Sequence, residues 1–154
     1  MAVRHAEPAD HAWVAAVVDD WWGGRPMAAM LPKLFFVYFR PTSFVLERDG
    51  EPVGFLCGFV SQTDPREAYV HFVGVDPQLR GSGAGRLLYE RFFEAVRARG
   101  CTVVRAVTSP VNRGSVAFHT AMGFLAEEGG GDSYDGPGED RVRFSLHLSD
   151  PGQG

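Results

Sequence analysis

Between residues 73 and 88 the chain reads Val73-Gly74-Val75-Asp76-Pro77-Gln78-Leu79-Arg80-Gly81-Ser82-Gly83-Ala84-Gly85-Arg86-Leu87-Leu88. An apolar strand runs into a turn with glycine at alternate positions, and the turn opens a helix. Residues without a Cβ let backbone N–H groups face inward and approach a ligand closely. The first helical turn adds N–H groups that lack acceptors and the positive end of the helix dipole. Such a turn suits phosphate or pyrophosphate, and Arg80 and Arg86 add formal charge. The spacing Gly81, Gly83, Gly85 does not fit the dinucleotide pattern G-x-G-x-x-G, and no Gly-Lys-Ser/Thr follows as a nucleotide P-loop requires.

Other reactive side chains give weaker patterns. The histidines His5, His11, His71, His119 and His147 form no HxxxH pair, and Cys57 and Cys101 form no CxxC, so no metal site is expected. On the strand before the turn, Tyr69, His71, Val73 and Val75 should share one face by the period of two. Trp21-Trp22 is an adjacent pair whose rings should point apart, one into the core and one outward, where it could hold a cationic amine. The acids Asp132, Asp135, Glu139 and Asp140 lie in a glycine-rich loop and would attract a positively charged ligand. A solvated loop beside a core pair is the plainer account of both.

The elements that must position these groups follow from hydropathic period. Residues 2–5 suit a short strand, and Trp13, Val14, Val17, Val18 and Trp21 fall at helical spacing after Pro8. Met27, Met30, Leu31, Leu34 and Phe35 give a second helical stripe, interrupted by Pro32. Phe44 to Arg48 and Pro52 to Val60 flank Asp49-Gly50 as a hairpin, and Ala68 to Val75 is a further strand. Gly83 to Arg99 is an amphipathic helix, Thr102 to Val107 a buried strand, and Asn112 to Met122 a short helix. Phe124 to Glu128 and Val142 to Leu148 close the series. The expected class is α+β. A mixed, mostly antiparallel sheet of about seven strands is flanked by about four helices, with a parallel strand–helix–strand crossover.

With 154 residues, 45% hydrophobic and 22% charged, the chain is expected to form one domain over residues 1–150 and a short tail at 151–154. A net charge of −4 argues against nucleic acid, although residues 80–105 carry six arginines against two acids. No run of about 18 apolar residues is present, so no membrane helix is expected. The first ten residues lack the apolar core of a secretory signal, which points to the cytoplasm.

Arg80-Gly81-Ser82-Gly83-Ala84-Gly85 resembles the R/Q-x-x-G-x-G/A motif of the GNAT N-acetyltransferase superfamily. Downstream, Asn112-Arg113-Gly114-Ser115-Val116-Ala117-Phe118-His119-Thr120-Ala121-Met122-Gly123-Phe124 is similar to that family's N-x-x-S/A-x-x-F-Y-x-x-x-G-F segment. Order and spacing of the two also resemble the family, over nearly the whole chain.

The resemblance implies transfer of an acetyl group from acetyl-CoA to a small-molecule or peptide amine, by direct attack in a ternary complex. It implies that N–H groups of Gly81, Ser82, Gly83, Ala84, Gly85 and Arg86 hold the pyrophosphate. Val73, Gly74 and Val75 would pair their main chain with the pantetheine arm, the strand there splaying from its neighbour. Asn112, Ser115 and Phe118 would lie at the cofactor, although Asn112 and Ser115 could simply cap their helix. His71, on the strand where many members carry a base, is the candidate base, and the N–H of Val73 or Val75 the candidate oxyanion donor. The demand on a base depends on the acceptor. Neutralising a lysine-like amine at pH 7 costs roughly 4–5 kcal/mol and an α-amino group about 1 kcal/mol. His119 stands where the family has its general-acid tyrosine, so it is the candidate acid, with Tyr69, Tyr89 or Tyr134 as other sources of a hydroxyl. That departure leaves open a module that binds acyl-CoA without turnover. Trp21, Trp22 and Tyr69 are the candidate acceptor contacts, and the resemblance allows a homodimer.

Overall fold

The alternating apolar segments between residues 43 and 75 form three consecutive antiparallel strands in a computed structural model that describes residues 1–109, 112–128 and 141–148. The elements are β1 (Ala2–His5), α1 (Asp10–Trp21), β2 (Ser43–Arg48), β3 (Glu51–Val60), β4 (Glu67–Val75), α2 (Ala84–Arg97), β5 (Val103–Thr108), α3 (Arg113–Ala121), β6 (Leu125–Glu128) and β7 (Val142–His147). They build one seven-stranded sheet in the order β1-β2-β3-β4-β5-β7-β6. Every neighbouring pair is antiparallel except β4 and β5, which are parallel and joined through α2. Among the described residues no helix is long and apolar enough to cross a membrane.

The helical count differs from the expectation. Among the described residues three α-helices form, and the Met27–Phe35 stripe instead makes two 3₁₀ turns, Ala28–Met30 and Lys33–Phe36. Pro32 between them is extended at φ −68°, ψ 144°. Proline has no N–H for a helical bond and pushes the residue before it out of the helical region. Of the stripe only Leu31 and Phe35 are buried, joined by Phe36, while Met30 and Leu34 are exposed.

The sheet separates two cores. On one face, α2 lays Leu88, Tyr89, Phe92 and Val96 over Phe44, Leu56, Val70 and Val104. On the other, Val14 and Val18 of α1 join Phe35, Phe36, Phe55, Cys57 and Phe72.

Two departures from regularity in β4 prepare the site. Cys57 pairs with Phe72 while the next residue, Gly58, pairs with Val70, so His71 is an extra residue in β4. Such a bulge shifts the alternation of side chains by one. Tyr69, His71, Val73 and Val75 therefore do not share a face as the period of two required. Val73 and Val75 pack on the α2 core. Tyr69 lies against Phe59 and His71 against Phe35, on the α1 side. At the same point β4 leaves β5. Their parallel pairing covers Glu67–Val70 against Val103–Ala106 and then stops, while β5 stays with β7 as far as Thr108 and Val142.

Candidate active site

Where β4 and β5 part, one edge of β4 is left open among the described residues. Asp76 N–H donates to the Val53 carbonyl at 2.9 Å. In an antiparallel pair the bonded residues alternate, so Gly74 addresses β3 while the backbone groups of Val73 and Val75 face the gap. That gap presents amide donors and acceptors in strand geometry beside the start of α2.

The turn after β4 is shaped by conformation more than by crowding. Asp76 accepts from the Gln78 N–H at 2.9 Å and starts a 3₁₀ turn over Pro77–Leu79. Gly81 and Gly83 take φ +81° and +88°, a region that penalises a Cβ, with nothing within 4 Å of a Cβ built there. Gly85 serves differently, since a Cβ there would lie 2.8 Å from Phe118 Cζ. The first bond of α2 runs from Leu87 N–H to the Gly83 carbonyl at 3.1 Å. The N–H groups of Ala84, Gly85 and Arg86 thus precede the helical ladder and point out of the helix start. Ser82 gives its hydroxyl to the Leu79 carbonyl, and Arg86 is exposed. Arg80 donates from Nη2 to the Trp21 carbonyl at 3.0 Å, tying the turn to the end of α1.

The two candidate histidines fare differently. His71 stacks on Phe35 with ring centres 4.8 Å apart and planes 6° off parallel. Its Nε2 lies 2.6 Å from the Met30 carbonyl. A carbonyl only accepts, so Nε2 carries the proton and the Nδ1 lone pair remains to accept one. His119 is buried with both nitrogens engaged. Nδ1 lies 2.8 Å from the Ser115 carbonyl and therefore donates to it, while Nε2, 2.6 Å from Tyr89 Oη, accepts the phenol proton. Its ring stacks on Phe144 at 4.4 Å and stands edge-on to Phe118 and Phe124. Burial holds His119 below the ordinary imidazole range, against a smaller opposing effect of the Ser115 carbonyl. Burial likewise pushes the Tyr89 phenol up. The pair is a neutral internal tie between α2 and α3.

Asn112 caps α3, its Oδ1 accepting from Ser115 N–H at 3.1 Å. Ser115 Oγ lies 3.3 Å from His119 Nδ1, and Phe118 packs between Gly85 and Tyr89.

The expectation that one of the tryptophans faces outward is corrected. Both are half-buried, because the bulged sheet offers each an aromatic platform. Trp21 stacks on Phe55 at 6.2 Å, and Trp22 lies 4.7 Å from Phe72 and directly over Gly74. Asp132, Tyr134, Asp135, Glu139 and Asp140 lie outside the described residues.

Tyr69, two residues from His71, borders a recess of about 320 Å³ that continues over β5, β7 and β6 past Arg105, Val107, Glu127, Arg143 and Ser145. Reasoning from sequence missed this recess, the contact of His71 with the Met30 carbonyl and the bond of Tyr89 to His119. The alternation of Arg105 with Ala106 and of Arg143 with Phe144 was the available signal for polar residues on one sheet face. Among the described residues no group of histidine, cysteine and carboxylate side chains could hold a metal. Burial pushes the Cys57 thiol up, which suppresses it as a nucleophile.

Residues 6–124 match the Acetyltransferase (GNAT) family. The chain is similar to an L-2,4-diaminobutyric acid acetyltransferase of Nocardia farcinica, 34% identical over 84 residues that make up 54% of this chain and 44% of the relative. It spans less than half the length of the first curated relatives it matches. Its fold is similar to that of a chain from Desulfovibrio desulfuricans described as a GNAT-family acetyltransferase, with TM-score 0.80, 21% identity, and coverage of 96% of this chain and 99% of that one. It is also similar in fold to a diaminobutyrate acetyltransferase of Paenibacillus lautus solved with L-2,4-diaminobutyric acid and coenzyme A. There the TM-score is 0.72, the identity 20% and the coverage 98% of each chain.

Proposed function

The chain belongs to the Acetyltransferase (GNAT) family, and from that premise we propose that it transfers an acetyl group from acetyl-CoA to an amine acceptor by direct attack in a ternary complex. The observation that carries the reading is the open edge of β4 running straight into the start of α2. Pantetheine has amides at strand-like spacing and ends in a pyrophosphate. An open strand edge followed by unpaired helix N–H groups matches both in sequence. In this reading Val73, Gly74 and Val75 bind the arm, and Gly81 to Arg86 bind the pyrophosphate with the charge of Arg86. Arg80 orients the turn from α1, and Gly85 lets Phe118 close beneath it.

The thioester then lies in the gap between β4 and β5, where the N–H of Val73 or Val75 polarises its carbonyl. The amine approaches from the α1 side. His71 Nδ1 takes the proton released as nitrogen attacks, its tautomer fixed by the Met30 carbonyl. The C–S bond breaks, and the departing thiolate regains a proton from solvent. His119 supports this site through Tyr89 and donates no proton in the reaction. The acceptor occupies the recess that starts at Tyr69.

The test is thiol release from acetyl-CoA with a panel of amines between pH 6 and 9, run beside thermal stabilisation by CoA. Stabilisation with amine-dependent release is expected. Stabilisation without release from any amine would reduce the protein to a binding module. Absence of both would overturn the cradle.

A further inference from the structure

We propose that Asp19 is a positioning residue for His71, acting through the Met30 carbonyl; this rests on the reading of His71 as the base. His71 is the extra residue of the β4 bulge, without a partner on β3, and the pairing of β4 with β5 ends one residue earlier at Val70. Neither neighbouring strand fixes its backbone, and a bulged residue is readily re-aimed. Its ring is held instead by the segment that follows α1. Phe35 stacks on it at 4.8 Å, and the Met30 carbonyl lies 2.6 Å from Nε2.

Packing alone does not aim that carbonyl. No residue from Gly23 to Met30 is buried, and Met30 is 50% exposed. The stretch is tethered to α1. The helix ends with Gly24 N–H on the Asp19 carbonyl at 2.8 Å and Gly23 N–H on the Asp20 carbonyl at 3.1 Å, which turns the chain back. The Asp19 side chain then meets the returning chain, its Oδ1 accepting from Met27 N–H at 2.7 Å and Ala28 N–H at 2.9 Å. These two residues supply the carbonyls of the 3₁₀ turn, Met27 to Met30 N–H at 3.0 Å and Ala28 to Leu31 N–H at 3.2 Å. In a trans peptide the N–H and C=O point opposite ways. Seating the Leu31 N–H on Ala28 therefore aims the Met30 carbonyl away from the turn, toward His71. One residue on, the Leu31 carbonyl accepts from His11 Nε2 at 3.0 Å, a second tether from α1. Hydrogen bonds to a carboxylate are the stronger kind, which makes Asp19 the principal tether.

The test reads the His71 ring N–H by nitrogen-edited proton NMR on the full chain. Beside it run steady-state kinetics with acetyl-CoA and spermidine, glycinamide or L-lysine, whichever wild type turns over fastest. Wild type should show a His71 N–H signal slowed in exchange with water. Asp19→Ala should lose it, and Asp19→Asn, which keeps an oxygen acceptor without the charge, should keep it. In the same series kcat should fall about 10-fold in Asp19→Ala, with KM for acetyl-CoA unchanged, and return in Asp19→Asn. In a His71→Ala background, Asp19→Ala should change kcat by less than about twofold, because Asp19 acts through the ring. His11→Ala leaves Asp19 in place and should weaken the N–H signal in the same direction, which covers an Asp19→Ala that does not fold. A His71 N–H signal unchanged in both alanine variants, or the same kcat deficit with and without His71, would overturn the proposal. Where none of the three amines reacts, the N–H signal alone decides it. The expected N–H pattern beside full turnover in His71→Ala would sustain the tether and refute His71 as the base.

Discussion

His71 Nε2 donates to the Met30 carbonyl at 2.6 Å, joining the extra residue of β4 to a 3₁₀ turn 41 positions earlier in the chain. The contact selects the tautomer whose free nitrogen can accept a proton. Replacing His71 with Ala should lower kcat by about 100-fold or more, the ordinary contribution of a positioned base. CoA-induced stabilisation should persist. The deficit should narrow as pH rises and the acceptor amine loses its proton without help. A pH–rate profile of both proteins checks this, and an equal deficit at every pH would remove His71 from the base role.

Gly58 faces the bulge from β3, where a Cβ would sit 2.6 Å from Phe92 Cε2 and 2.9 Å from the Tyr69 carbonyl oxygen. A backbone atom cannot move aside as a side-chain tip can. Gly58→Ala should cost about 1–3 kcal/mol and lower Tm by roughly 3–10 °C for a domain of this size. Differential scanning calorimetry reads the loss.

Gly83→Ala tests the cradle by conformation alone, since no atom lies within 4 Å of the added methyl. The left-handed φ of +88° penalises a Cβ by about 1–2 kcal/mol. We expect a small fall in Tm and a CoA affinity weaker by about 10-fold, as the N–H groups reorient. Isothermal titration with CoA separates the two effects.

Asn112 offers a cleaner division between capping and ligand contact. Asn112→Ser keeps an N-cap acceptor, whereas Asn112→Ala removes it at a cost of about 1 kcal/mol. CoA affinity that survives in Ser and falls in Ala would assign Asn112 to the cap. Affinity lost in both would assign it to the ligand.

Buried His119 gives the fold an acid limit. It stays neutral in the native state because burial lowers its proton affinity, whereas in the unfolded chain an imidazole gains a proton below about pH 6.5. The unfolded state then binds more protons, so stability is full above that pH and declines as pH falls. Tm measured from pH 8 to pH 5 should drop in wild type and drop less in His119→Gln. Tyr89→Phe should cost about 1–3 kcal/mol at pH 8 by leaving Nε2 without its donor.

Strand and helix assignments were legible wherever one hydropathic period ran uninterrupted, as in α2 and β3. The turn before α2 was legible because Gly81 and Gly83 at positive φ write that conformation into residue type. The face of His71 was not, because parity along β4 changes at a bulge that exists only in the pairing with β3. Met27 to Phe35 suggested a helical stripe, but Pro32 breaks it into two 3₁₀ turns that bury Leu31 and Phe35 and leave Met30 and Leu34 exposed. Tyr89 read as one possible source of a hydroxyl, but its bond to His119 joins residues 30 positions apart on two helices and could not be read from either alone. The recess went unseen because its lining comes from β4, β5, β6 and β7, none of which carries a motif.

The parting of β4 from β5 gives the sheet a pair of unsatisfied borders in its middle, in addition to those at β1 and β6. Strand borders are where foreign chains add themselves. In the proposed function a cosubstrate lies along this cleft as a temporary eighth strand, so its concentration enters the protein's stability as well as its turnover. By mass action, a hundredfold excess over Kd adds about 2.7 kcal/mol to folding. Amide exchange at Val73 and Val75 should therefore slow as that concentration rises.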